Sequence, residues 1–278
     1  MADATKRSRA VDPSVPNLAR MYDYWLGGKD NFAADREAAA AMAAVIPQLP
    51  LMARENRKFL GRVVRFCVSA GVTQFLDIGS GLPTMENVHE AAARVTDQAR
   101  VVYVDSDAVA VSHARSLLAT ERTRAVYGDL TRPDEVLAAA EATRLIDFQR
   151  PVALLLAAVL HHIPDEAGPD ECVTAFRDAL APGSYLVISH AQLTPGHLDG
   201  GEPVSELGRQ LAAAQEGAQR GNGTRTRAEI AAFFGDMTLV EPGLTEVWAW
   251  RPDISTGISP VTIRSPVLTV LGGVARKD

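Results

Sequence analysis

The sequence has 278 residues, of which 47% are hydrophobic and 22% are charged, and its formal net charge is −6. This composition predicts a globular protein, and the acidic balance disfavours nucleic acid as the main partner because phosphate binding requires a basic surface. No apolar run approaches the ~20 residues of a membrane-spanning helix, and the polar N-terminus lacks the apolar part of a signal peptide. The two cysteines fit neither a metal nor a disulfide pattern, so we expect a soluble protein of a reducing cytoplasm, without a membrane partner.

The first 70 residues are predicted to be mainly helical. Residues 1–16 are polar and proline-containing, which is typical of a disordered tail. Apolar side chains at helical spacing then predict three helices, over residues 17–26, 33–45 and 51–70. We therefore expect residues 17–70 to form a helical cap ahead of a core of residues 71–278.

Strands and helices alternate from residue 75 onward. The predicted strands cover residues 75–78, 100–104, 124–127, 152–160 and 185–189. The predicted helices cover residues 84–94, 107–118, 132–143 and 170–180. Thr84 is expected to cap the first of these helices. The alternation predicts an α/β protein whose mostly parallel sheet carries helices on both faces.

The last third of the chain has a different pattern. A helix is predicted over residues 202–219, and Thr226 to Glu229 form a capping box that opens a second helix. Strand candidates follow at residues 238–241, 247–250 and 267–274, separated by glycine and proline.

A glycine turn directly follows the first strand. Asp77 lies at the end of this strand, and the turn Gly79-Ser80-Gly81 then brings backbone N–H groups close to any ligand. A carboxylate at this point repels a pyrophosphate but attracts an ammonium or sulfonium group. Pro83 stands where a dinucleotide fold has its third glycine. The turn therefore favours S-adenosylmethionine (SAM) over a nicotinamide dinucleotide, although a simple glycine turn remains an alternative.

Acidic residues also follow the next two strands. Asp105 ends the second strand, where a carboxylate can accept hydrogen bonds from ribose hydroxyls. Asp129 follows the third strand, where it can accept from an adenine amino group. Because parallel strands end at the same edge of a sheet, Asp77, Asp105 and Asp129 together predict a nucleoside site. Their neighbours Ser106 and Leu130 are included in this predicted site.

These motifs resemble those of class I SAM-dependent methyltransferases. The matching stretches are residues 77–81, Asp105, residues 128–129, 159–164 and 180–186. Residues 22–32, read with residues 75–84, narrow the resemblance to a largely uncharacterised bacterial S-adenosyl methyltransferase family, over nearly all of the chain after residue 16. The resemblance implies a Rossmann-like sheet of seven strands, with residues 267–274 as its antiparallel last strand. It also implies SAM as the cofactor and S-adenosylhomocysteine as the product.

Two adjacent histidines follow the fourth strand. His161 and His162 are candidate catalytic bases, because a histidine can accept a proton at neutral pH if the acceptor must lose one. The alternative is that an imidazole packs against the cofactor or bonds to the backbone. A metal role together with Asp165, Asp170 or Glu171 lacks a ligand spacing, so we predict no metal.

The cap contributes further candidates. Tyr22 and Asn31 belong to an aromatic and glycine-containing segment that could close over the cofactor, or simply pack a helix on the core. Arg57, together with Arg54 and Asn56, precedes the first strand. One of these three is expected to meet the methionyl carboxylate of SAM, unless they form a solvated helix face.

The methyl acceptor has no signature in the sequence. We expect the cap, the loop after His162 and residues 193–223 to build its pocket, and the acidic charge favours a small molecule. A SAM-binding or nucleoside-binding protein without transfer activity is the alternative function. The sequence assigns no oligomeric state.

Overall fold

A computed structural model of the chain describes residues 12–193, 225–253, 262–265 and 268–278. The helices are α1 Leu18–Leu26, α2 Ala33–Val45, α3 Leu49–Ser69, α4 Val88–Ala93, α5 Ala108–Leu118, α6 Pro133–Ala142, α7 Pro169–Ala179 and α8 Arg227–Ala232. The strands are β1 Gln74–Ile78, β2 Arg100–Asp105, β3 Thr123–Tyr127, β4 Ala153–Ala157, β5 Tyr185–Leu193, β6 Thr238–Leu239, β7 Thr245–Glu246 and β8 Leu268–Arg276. Residues 1–11 of the predicted tail and the helix predicted over residues 202–219 lie outside the described ranges.

The strands form one mixed sheet in the order β3-β2-β1-β4-β5-β8-β6, with β7 also paired to β8. Strands β1 to β5 are parallel to their neighbours, whereas β8 is antiparallel to β5, β6 and β7. The mostly parallel α/β fold and its antiparallel last strand are confirmed.

The seventh expected strand is present in two short parts. β6 pairs with the C-terminal end of β8 and β7 pairs with its middle, and Pro242 and Gly243 lie between the two short strands. Proline has no N–H to donate to the neighbouring strand, so it interrupts the pairing. The sheet therefore has eight strands where seven were expected.

Each face of the sheet is covered by helices, because alternate strand residues point to opposite sides. One face packs Phe75, Val101 and Leu155 against α3, α4 and α5. The opposite face packs Leu76, Val102 and Leu154 against α6, α7 and α8. The prediction of helices on both faces is confirmed.

The cap has its own small core. Met21, Ala39, Met42, Ile46 and Leu49 form a separate buried cluster between α1, α2 and the start of α3. No helix within the described ranges combines the length and the apolar character that crossing a membrane requires.

Three of the predicted elements are wrong in extent or in type. The strand predicted over residues 152–160 ends at Ala157, and a 3-10 turn then runs over Leu160–His162. The strand predicted over residues 247–250 is instead a turn. Its large apolar side chains are buried, and Trp250 meets Phe59 of α3 edge to face. The helix predicted to start at Thr84 starts at Val88, capped by Asn87.

Candidate active site

The predicted strand-end acids lie at one edge of the sheet. In register, Asp77 pairs with Tyr103 of β2, while Asp105 pairs with Tyr127 of β3. Asp129 follows β3 by two residues. This is the arrangement expected from the sequence, because neighbouring parallel strands end on the same side.

Asp77 is the most unusual of these acids. Its side chain is buried, and no hydrogen bond from the described residues reaches its carboxylate. Burial raises the pKa of Asp77 to about 7; the Arg57 guanidinium opposes this shift and the Asp105 carboxylate adds to it. A buried carboxylate without donors is costly, so this position suits a cationic ligand.

The glycine turn follows β1 and is hydrogen-bonded to the end of β2. The Gly81 N–H donates to Asp105 Oδ2 at 2.8 Å, and the Ser80 N–H donates to the Val104 carbonyl at 3.2 Å. Gly79 has a φ of +74°, and a Cβ at this position would lie 2.4 Å from a methyl carbon of Val159. Only glycine fits here, since both the backbone conformation and the approach of Val159 exclude a side chain.

Hydrogen bonds from nearby residues hold the carboxylates of both Asp105 and Asp129. Asp105 accepts from the N–H of Gly81 and, through Oδ1, from the N–H of Asp107 at 2.8 Å. Asp129 Oδ1 accepts from the N–H and the hydroxyl of Thr131, at 3.0 and 2.9 Å. Each carboxylate oxygen can accept more than one hydrogen bond, and these local hydrogen bonds orient the two acids. Ser106 is half-buried beside Asp105, and Leu130 is buried beside Asp129.

Helix α3 brings polar side chains to the same edge. Arg57 is buried and donates from Nη2 to the Leu82 carbonyl at 3.4 Å, while its Nε has no partner among the described residues. Asn56 donates to the Tyr22 hydroxyl at 3.0 Å, and its buried Oδ1 is also without a partner within the described ranges. Arg54, in contrast, is exposed. These buried polar atoms are therefore candidates for contacts with a polar ligand.

Tyr22 links the cap to α3. Its hydroxyl donates to the Ala53 carbonyl at 3.0 Å and accepts from Asn56. Burial raises the pKa of the Tyr22 hydroxyl, so the side chain is a neutral hydrogen-bonding group at physiological pH.

Asp23 connects the cap to the glycine turn, and we had not singled it out in the sequence. Its buried carboxylate accepts from the Thr84 hydroxyl, from the Asp30 N–H at 3.0 Å and from the Asn31 amide at 2.7 Å. The available signal was an aspartate between two tyrosines in a helix. Thr84, predicted as a helix cap, is used in this contact instead.

Gly28 is needed for the same contact. A Cβ at this position would lie 2.0 Å from Asp23 Oδ1 and 2.5 Å from a methyl carbon of Thr84. Glycine therefore lets the cap backbone approach the loop after β1. A second connection joins Asn17 to the Asp107 carboxylate at 2.5 Å, in the loop after β2.

The histidine pair is half-buried and lies in a cluster with the buried His190 and Arg225. The ring of His161 lies 4.1 Å from that of His162 and 5.3 Å from that of His190, measured between centroids. Burial lowers the pKa of His161 well below 6.5, and His162, His190 and Arg225 lower it further. His190 and Arg225 were missed in the sequence because nothing in their local pattern marks them. The described residues contain no group of three or more His, Cys, Asp or Glu side chains placed to hold a metal ion.

Comparisons with known proteins extend over nearly the whole chain. A family model described as S-adenosyl methyltransferase matches residues 4–278. A crystal structure from Thermobifida fusca, provisionally named a methyltransferase, is 42% identical, with a TM-score of 0.82 and 99% of both chains covered. A DUF574 family protein from Streptomyces avermitilis is 38% identical, with a TM-score of 0.83, covering 96% of this chain and 99% of its own. No curated protein matches the sequence.

Proposed function

This chain belongs to the S-adenosyl methyltransferase family, and we propose that it methylates a small-molecule acceptor at the carboxyl edge of its sheet. Its cofactor is SAM, and S-adenosylhomocysteine is the product. When bound, SAM supplies a methyl group that is already activated on a sulfonium, so positioning provides most of the catalysis.

The main support for the proposed site is that two buried charged side chains, Asp77 and Arg57, lie near each other with hydrogen-bonding atoms that no described residue satisfies. Among the described residues, no donor reaches the buried carboxylate of Asp77, and the nearby Arg57 guanidinium has an Nε without a partner. The amino-acid part of SAM carries one ammonium and one carboxylate, which complement these two groups. We assign the ammonium to Asp77 and the carboxylate to Arg57, because a guanidinium binds a carboxylate through charge-assisted hydrogen bonds.

The nucleoside part of SAM is assigned to the next two strand ends. Asp105, with Ser106, accepts hydrogen bonds from the ribose hydroxyls, and Asp129 accepts from the adenine amino group. Leu130 supplies an apolar surface for the base. The turn Gly79-Ser80-Gly81 lets the backbone approach the cofactor between these groups.

The cap is assigned the role of shielding the reaction from water. We treat residues 17–70 as this cap and residues 71–278 as the core that binds SAM. Tyr22 and Asn31 are its proposed cofactor contacts, and the hydrogen bonds of Asp23 and Asn17 to the loops after β1 and β2 support this position. An enclosed site strengthens every polar interaction within it.

For an acceptor that must lose a proton, the histidine pair is the proposed base. His161 and His162 lie in the 3-10 turn that comes after β4, at the same edge as the cofactor residues. A neutral imidazole accepts a proton as the methyl group is transferred. Charge supports a small-molecule acceptor, since −6 is unfavourable for nucleic acid, and the two free buried cysteines support a reducing bacterial cytoplasm.

Calorimetry with SAM and S-adenosylhomocysteine tests the site. We expect both ligands to bind and to raise the melting temperature, and we expect Asp105→Ala to lose about 1–3 kcal/mol of binding free energy because the ribose hydroxyls lose their acceptor. Mass spectrometry of S-adenosylhomocysteine formed with pools of small molecules tests transfer. A wild-type protein without binding heat would contradict the site, whereas binding without product in any pool would contradict the small-molecule acceptor.

A further inference from the structure

The guanidinium of Arg225 holds both ends of the turn that carries the histidine pair. Arg225 is buried, with 5% of its side chain exposed. Its Nη1 donates to the Leu160 carbonyl and its Nη2 to the Ile163 carbonyl, both at 3.0 Å. These two carbonyls flank His161 and His162, so one rigid group fixes the turn on either side of them.

The same guanidinium determines which nitrogen of His190 carries the proton. A guanidinium can only donate, so His190 Nε2, 3.3 Å from Nη1, is the acceptor. A carbonyl can only accept, so His190 Nδ1, 2.7 Å from the Ala191 carbonyl, is the donor. The two contacts agree on one neutral form of His190, with its proton on Nδ1.

The Ala191 residue connects His190 to the histidine pair. Its carbonyl accepts from His190, and its N–H points to His161 Nδ1 at 3.2 Å. An N–H can only donate, so His161 Nδ1 is an acceptor. The neutral ring of His161 therefore carries its proton on Nε2.

We infer that Arg225 is a positioning residue for methyl transfer, which through His190 and Ala191 holds neutral His161 as a hydrogen-bond donor. In this state His161 donates from Nε2 to an acceptor group that bears a lone pair, such as a hydroxyl or carboxylate oxygen. To accept a proton, His161 must break its bond to Ala191, so the role of base belongs to His162. The catalytic part of this inference rests on the proposed function, whereas the proton positions do not.

Long-range ¹H–¹⁵N NMR of the histidine rings tests the proton positions directly. At pH 7.5 the wild-type protein should show His161 protonated on Nε2 and His190 protonated on Nδ1. The opposite form of either ring in the wild-type protein would overturn the inference, and no variant is needed for this measurement. A failure of SAM binding would instead contradict the proposed function and leave this result standing.

Arg225→Lys tests the positioning role. Lysine keeps the charge but lacks the planar fork that reaches both carbonyls. We expect the His190 and His161 signals to show mixed proton positions, and kcat to fall on the order of 100-fold, because a small displacement near the reacting atoms is costly. The dissociation constant of SAM should change less than about twofold, since Arg225 does not contact the proposed cofactor residues within the described part of the chain.

Arg227→Lys is the matched control. Arg227 lies two positions further on and donates to the Leu244 carbonyl rather than to the histidine turn. This variant should keep the wild-type histidine signals and kcat. Unchanged signals and kcat in Arg225→Lys would overturn the positioning role, as would an equal loss in both variants.

Discussion

The buried carboxylate of Asp23 accepts a hydrogen bond from the Thr84 hydroxyl, across 61 positions of sequence. Asp23 belongs to the first helix of the cap, and Thr84 follows the glycine turn that we assign to the cofactor. This bond directly connects the first helix of the cap to the segment that follows the glycine turn.

Thr84→Val is expected to loosen the cap. Asp23 keeps its bonds from Asp30 and Asn31 but loses the hydroxyl donor, which costs about 1–3 kcal/mol for a buried charged group. Trypsin cleavage at the exposed Lys29 should become faster in the variant, and SAM should bind more weakly. Thr143→Val serves as the control, because it removes a hydroxyl that bonds only locally at the end of a helix, to the Ala140 carbonyl and the Leu145 N–H. Equal cleavage rates in the two variants would show that the bond does not hold the cap.

Asp77→Asn is expected to stabilise the protein without its cofactor. The pKa of Asp77 is raised from 3.8 to about 7 in the folded state, so the folded protein holds a proton that the unfolded chain has lost. Ionisation of Asp77 therefore lowers the free energy of unfolding progressively between about pH 4 and pH 7, by about 4 kcal/mol at most. Because asparagine does not ionise, the variant should be more stable than the wild-type protein at pH 8. The two should have similar stability near pH 4.

The same variant should bind SAM more weakly, since an amide does not neutralise the ammonium group. Denaturant unfolding at both pH values and calorimetry at pH 8 measure the two effects. Asp97→Asn, which changes an exposed acid, should alter neither. A loss of stability at pH 8, or an unchanged SAM affinity, would contradict the role assigned to Asp77.

Gly79→Ala is expected to damage the cofactor site by two separable effects. The positive φ costs roughly 1–2 kcal/mol for alanine, and the added Cβ meets Val159. Gly71→Ala is a close control for the first effect, because Gly71 has a φ of +88° and the described residues beyond its chain neighbours place no atom within 4 Å of the added carbon. Thermal unfolding should therefore show a larger loss in Gly79→Ala than in Gly71→Ala.

The double variant Gly79→Ala with Val159→Ala isolates the second effect. Removing the Val159 methyl groups should restore part of the stability and of the SAM affinity that Gly79→Ala loses. No recovery in the double variant would mean that the contact with Val159 is not what excludes a side chain from the turn.

His161 and His162 are expected to differ in their kinetic effects. His162→Ala should lower kcat by about 10²–10⁴, the usual contribution of a general base. His161→Ala should mainly raise the KM of the acceptor. SAM affinity should be retained in both variants, as measured by calorimetry.

The pH dependence of the wild-type enzyme gives a separate check. The pKa of His161 is lowered well below 6.5, so a rate that used His161 as base should stay constant to a lower pH than a rate that used an ordinary histidine. A decrease of kcat as the pH falls through 6.5 would therefore contradict His161 as the base. Full turnover in His162→Ala would contradict the assignment of the base to His162.

The sequence predicted those features that depend on local pattern. Alternating strands and helices indicated the sheet, and Asp77, Asp105 and Asp129 each marked a strand end. The end of β4 could not be predicted, because the apolar run continues to Leu160 while Ala158 takes a φ of +55°. Alanine gives no sign of this conformation.

Polar contacts between residues distant in the chain could not be predicted from the sequence either. The bonds of Asp23 to Thr84, and of Arg225 to His190, join residues that no spacing rule relates. Their types are common on protein surfaces, and only the fold brings them together in buried positions.

The position of β8 has a consequence for biosynthesis. β8 pairs with β5 and β6 in the interior of the sheet, although it is formed by residues 268–276. A nascent chain therefore contains every proposed cofactor and catalytic residue long before the ribosome reaches the strand that completes the sheet. Until then the β5 edge has no partner, and such open edges promote aggregation. A messenger RNA truncated just before Leu268 would yield a protein with all its site residues and an open sheet edge.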